Sequence, residues 1–130
     1  MSIYDNFTMQ KGKDHLNKTI LHLEGAAVLV LALYGYMYYE FSWWVFIILL
    51  FVPDLAMLGY LYNQKFGAIV YNLFHTYLLS LLVYLIGAIM NQEIVVLLGL
   101  IWTAHIGMDR MFGFGLKYPT KFQDTHLNRV

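Results

Sequence analysis

His105 and Asp109 stand four positions apart inside an otherwise apolar run, Trp102-Thr-Ala-His105-Ile-Gly-Met-Asp109-Arg110. On a helix that spacing stacks both side chains on one face, one turn apart. An imidazole and a carboxylate so placed can share a divalent metal, or one can orient the other for proton transfer. The structural alternative is an Asp109–His105 hydrogen bond, or an Asp109–Arg110 pair, that only ties helices together. Polar residues of the same chemistry interrupt apolar runs upstream: Glu24, Asp54 straight after Pro53, and His75 with Asn72 one turn before it.

Composition decides what surrounds them. The chain is 60% hydrophobic and 12% charged, against about 25% charged in soluble domains. Such a chain cannot cover a soluble surface with polar groups, and it reads as a membrane protein, where ionisable groups are costly and mark functional sites. There is no cysteine, so thiolate metal sites and disulfides are excluded. A formal net charge of zero argues against a nucleic-acid partner. The length suits one domain. Met1 to Asn17 lacks the apolar core of a secretory signal, so the first apolar run is expected to be retained.

The runs fall at about 20–39, 41–62, 66–90 and 94–112, each long enough to cross the hydrocarbon layer as a helix. Links of two to four residues between them force neighbouring helices to run antiparallel. The fold expected is an all-α integral membrane four-helix bundle over residues 20–112. A solvated or interfacial arm, 1–19, precedes it, turning helical near Leu16, and a polar tail, 113–130, follows. Lys and Arg sit in the arm, at Lys65 and in the tail (Lys117, Lys121, Arg129), whereas Glu40 and Glu93 are the charges of the other two loops. That asymmetry places both termini in the cytoplasm of a multi-pass inner-membrane protein, with Trp43 and Trp44 at the outer interface.

Depth then follows from the helical rise. Asp54, His75 and His105 come out at about 12, 13 and 10 Å from the inner surface, and Asn72, Glu24 and Asp109 at about 9, 6 and 5 Å. Four helices of alternating direction bring their polar residues into the same half, and the outer half has no equivalent. Asp54, His75, His105 and Asp109 form the candidate ligand set. Mixed nitrogen and oxygen donors suit Zn, Mn or Fe(II) better than Mg or Ca. No organic cofactor is expected. Asp109, Glu24 and His126 are the candidate proton carriers, His126 if the tail folds back over the opening. Each has a structural counterpart. Asp54 could answer a donor at the Pro53 kink, and His75 with Asn72 could be a helix–helix pair. Glu24 is expected to pair with Arg110, His22 to snorkel, and His126 could be a loose terminal residue.

These motifs carry a resemblance. Pro53-Asp54-Leu55-x-Met57-x-Gly59-Tyr60, Tyr71-Asn72-x-x-His75-Thr76-Tyr77, His105-Ile-Gly-Met-Asp109-Arg110, Gly113-x-Gly115-Leu116-Lys117-Tyr118, Thr125-His126-Leu127 and Glu24-Gly25 resemble a family of small bacterial integral membrane proteins classed as a domain of unknown function. More weakly, the order Pro-Asp-Leu, His, His-x-x-x-Asp is similar to membrane-bound metal-dependent hydrolases. That likeness implies a lipid- or phosphate-ester hydrolase with an embedded metal. The second Asp and following His of that family would fall at Ala56 and Met57, which leaves one metal, or none, rather than two.

Three functions compete. A metal-dependent hydrolase would act on a lipid or a small cytoplasmic substrate. A transporter or ion carrier would use the same groups as a relay, would need a homo-oligomer to enclose a path, and expects outer-half polarity that the chain lacks. A non-enzymatic membrane subunit would use them as inter-helix glue.

Overall fold

The structure is a computed structural model and describes residues 2–119 and 123–129. Lys121, one of the tail cations, lies outside the described residues. Four helical stretches are long and apolar enough to cross a membrane: Ile3–Tyr38, Trp43–Leu61, Gln64–Ile89 and Glu93–Phe112. No strand occurs among the described residues, although Lys117 and Thr125 form an isolated bridge in the tail.

Helix α1 (Ile3–Tyr38) begins on a capping box: the Ser2 hydroxyl accepts from the Asp5 N–H, and the Asp5 carboxylate accepts from the Ser2 N–H. The polar arm is therefore helical almost from its first residue, not from Leu16 onward, and it continues into the first apolar run without a break. The local cap explains the difference.

The second and third apolar stretches are each interrupted. Helix α2 (Trp43–Leu49) stops at Leu50–Phe51, and a 3-10 helix, Val52–Leu61, follows. Pro53 causes this, because its ring lacks an N–H and crowds the carbonyl one turn back. The Asp54 N–H bonds instead to the Phe51 carbonyl three residues back at 3.0 Å. Helix α3 (Gln64–Phe74) ends at His75, with φ −117° and ψ 17°, and α4 (Tyr77–Ile89) restarts after an extended Thr76. Helix α5 (Glu93–Phe112) is continuous and closes on Gly113 at φ 94°. There the Phe114 N–H reaches the Asp109 carbonyl and the Gly113 N–H the Arg110 carbonyl, the paired bonds of a Schellman end.

Helix α5 is the central element. In its membrane-length window 61% of residues are buried, against 17% in each of the other three stretches, so it alone is enclosed by protein. Helices α1 and α4 pack on it, and α3 packs on the 3-10 helix. The α1–α5 contact is close enough to exclude side chains. A Cβ on Gly107 would meet the Leu29 nitrogen at 2.8 Å and the Gly25 carbonyl at 2.9 Å, and one on Gly25 would meet Arg110 Cβ at 2.5 Å. Backbone approach of this kind lets apolar helices associate where no hydrophobic force separates protein from lipid.

Candidate metal centre

The two interruptions put the site together. Asp54 lies in the first turn of the 3-10 helix, and His75 is the residue on which α3 ends. His105 and Asp109 project one turn apart from α5. The four side chains converge, each offering one ligand atom, and these atoms lie within 4.8 Å of one another. His75 Nε2 is 3.2 Å from Asp54 Oδ1 and 3.4 Å from Asp109 Oδ2. His105 Nε2 is 3.1 Å from Asp54 Oδ1 and 3.2 Å from Asp109 Oδ2. The two Nε2 atoms are 3.2 Å apart. Four ligands held tetrahedrally at zinc–nitrogen and zinc–oxygen distances stand about 3.3 Å from one another, so five of the six separations have the size that a single ion requires, and the sixth, between the two carboxylates, is within 4.8 Å.

The chemistry of the donors agrees with the geometry. Nδ1–H of His75 donates to the Tyr71 carbonyl at 2.8 Å, which in the neutral ring leaves a lone pair on Nε2. A carbonyl behind a ligating imidazole is the usual device for setting tautomer and ring angle. The Tyr71 ring stacks on that of His75 at 3.8 Å between centroids. The His75 lone pair then faces two carboxylate oxygens and a second imidazole nitrogen, and such a group needs a cation at its centre, a metal or a proton. His105 is held differently. Its Nδ1 is buried without a partner at hydrogen-bond geometry, although the Leu50 backbone is near enough to interact with it. Both imidazoles are fully buried, the Asp109 side chain is 12% exposed and that of Asp54 is 34% exposed, so access to the cluster is on the Asp54 side.

The backbone freed by the break at His75 is satisfied from α5. Trp102 Nε1–H donates to the Phe74 carbonyl, and Arg110 donates through Nη2 to the His75 carbonyl and through Nη1 to that of Phe114. Irregular backbone at membrane depth is tolerated when it is paired within the protein in this way. Arg110 is thereby committed. Among the described residues it forms no ion pair with Glu24, contrary to the pairing expected from their similar depth. Glu24 is exposed on α1 and outside the cluster. His22, expected to snorkel, donates instead to the Met111 carbonyl at 2.8 Å, tying α1 to the end of α5.

The tail returns to α3. Asn72 donates to the Lys117 carbonyl at 2.7 Å and accepts from the Lys117 N–H at 2.6 Å. Asn72 thus clamps the tail and is not a helix–helix partner of His75. The Lys117 ammonium sits 4.6 Å from the centre of the Tyr71 ring, so cation, phenol and imidazole are arrayed around the site. Burial pushes the Lys117 ammonium below the usual lysine range, and Asp109 opposes that shift. His126 does not join the cluster. Its Nδ1 accepts from the Leu116 N–H at 2.7 Å within the tail, and burial, then the Arg110 charge, depress its pKa. Tyr71, Trp102 and Lys117 are the contributors that sequence reasoning missed. Tyr71 was visible in principle, lying four residues before His75 and hence beside it on a helix.

No curated protein and no solved structure matches the chain. A family match covers residues 18–130, which takes in all four cluster residues and the tail that Asn72 clamps, and the chain belongs to that family, described as a domain of unknown function (DUF4260).

Proposed function

We propose that Asp54, His75, His105 and Asp109 hold one divalent transition metal, Zn, Mn or Fe(II), and that the protein is a membrane hydrolase of a lipid or phosphate ester. The observation that carries this reading is the set of five ligand-atom separations between 3.1 and 3.4 Å. When bound, such a metal would supply Lewis acidity and, on taking a fifth ligand beyond the four side chains, a water activated at neutral pH. The chain's own residues do the rest. The Tyr71 carbonyl and ring orient His75, and the His75–Arg110 contact fixes the break that carries it. Asp54 borders the opening by which an ester enters. Asp109 is the proton carrier, because Glu24 is remote and His126 is bound to tail backbone.

In the same reading the helices run antiparallel, both termini face the cytoplasm, and the membrane is the bacterial inner membrane. The lysine and arginine distribution supports the orientation, and the α1–α5 register, in which Gly25 meets Arg110 and Gly35 meets Leu100, supports the antiparallel run of those two helices. A second reading, an ion carrier, is favoured by one observation. Both interrupted stretches meet at the cluster, a device that transporters use at their ion sites. Reconstituted vesicles separate the two. Hydrolysis of a fluorogenic ester lipid that stops on chelation and returns with Zn, Mn or Fe(II) supports the hydrolase. Metal flux without product supports the carrier.

A further inference from the structure

Beside the cluster runs a groove of about 720 Å³ between the 3-10 helix, α3, α4 and α5, lined by side chains such as Leu55, Leu58, Val70, Phe74, Leu98 and Trp102. Its size is that of a small-molecule site. Its position is tied to the ligands. Pro53 and Phe74 line it and directly precede Asp54 and His75, while Ile101 lines it one turn before His105 on α5. The same stretches of backbone therefore shape the groove and aim three of the four ligands.

The lining has no charged residue, and its one side-chain donor, Trp102 Nε1–H, is already bonded to the Phe74 carbonyl. Nothing in the groove can recognise a polar group, so a ligand there must be apolar along its length and carry any polar function at the cluster. Leu55, Leu58, Phe66 and Leu98 are 44–62% exposed on stretches long and apolar enough to cross a membrane, which leaves the groove open from the side. A second groove, of about 630 Å³, lies between α1 and α4 over α5. It differs in kind, being lined by five tyrosines and Thr103.

From this juxtaposition we infer that the groove beside Asp54 is the seat of a single acyl chain, entering from the bilayer, of an ester-linked lipid whose ester lies at the cluster. This rests on the hydrolase reading for the ester and on the groove alone for the chain. The substrate class is then an acyl lipid, in preference to a small cytoplasmic solute.

The test is photolabelling of the full-length protein in detergent with a phosphatidylcholine that carries a diazirine in one acyl chain. Metal content is measured on the same sample. The expected result is labelling at Leu58, Val70 and Leu98 that saturates at one lipid per chain. It should fall about tenfold in Val83→Trp or Leu98→Trp, with helix content unchanged. Labelling that rises in proportion to lipid and is equal in both grooves would show annular lipid only and overturn the inference. So would cross-linking of a second copy of the chain in place of lipid. Bound metal with unselective labelling would overturn the groove assignment alone. Saturable groove labelling without metal would support the chain site and remove the hydrolase reading.

Discussion

The two ends of α5 are built on opposite principles. Toward its start, Val96, Leu100, Ile101 and Ala104 pack with Ala32, Tyr36 and Phe46 into an apolar core, and the Tyr36 ring contacts those of Phe41, Trp43 and Phe46 at 4.9–5.4 Å. Toward its end, His105, Asp109 and Arg110 are as deeply buried, but each is held by named polar partners. The apolar end works by shape, and its losses scale with the volume removed. The polar end works by satisfaction, and removing one partner leaves the others unpaired at depth. The difference explains why the break at His75 lies beside the polar end, since it frees the Phe74 and His75 carbonyls that Trp102 and Arg110 bond.

The comparison can be broken by a crossed pair of variants. Leu100→Ala should cost about 2–5 kcal/mol in thermal or denaturant unfolding while metal binding persists. His105→Ala should abolish metal binding and cost about 1–3 kcal/mol for a partner left unpaired at depth. Equal metal loss in both variants would mean that the two ends are one cooperative unit. Next in size, Gly107→Ala places a methyl against the backbone of α1 and should cost about 1–3 kcal/mol by overpacking, with α5 displaced and metal affinity lowered. A variant of native stability would show that the close α1–α5 contact is dispensable.

The smallest effect is a pH dependence confined to the tail. His126 is a histidine whose folded pKa is depressed, by burial first and by the Arg110 charge second. Its contribution to tail packing is present above about pH 6.5, the unfolded value, and is lost as pH falls through the lower folded pKa. Protonation turns Nδ1 from the acceptor of the Leu116 N–H into a donor. Protection of the Leu116 amide against hydrogen exchange, taken relative to the intrinsic rate at each pH, should fall below about pH 6.5 and be insensitive to pH in His126→Asn.

Much of this was legible in the sequence, and for identifiable reasons. Hydropathy located all four stretches, and the helical rise put Asp54, His75, His105 and Asp109 at neighbouring depths. Pro53 announced one interruption. The break at His75 was hidden, because no Pro or Gly stands at His75-Thr76 and the run from Phe66 to Met90 has the length of one span. What permits the break is supplied by Trp102 and Arg110, 28 and 35 positions away. Glu24 and Arg110 share a depth but not a partner, since depth says nothing of azimuth around a helix axis. The fate of His126 depended on the Lys117–Thr125 bridge, a non-local pairing with no periodic signature.

The central claim is that one ion joins the four side chains. Elemental analysis of the purified full-length protein after equilibration with Zn, Mn or Fe(II) tests it most directly. The expected result is about one metal per chain in the wild type, lost in each of Asp54→Ala, His75→Ala, His105→Ala and Asp109→Ala and retained in Glu24→Gln. A wild type that binds no metal, or metal content indifferent to all four substitutions, would contradict it and leave the cluster as proton-linked glue between helices.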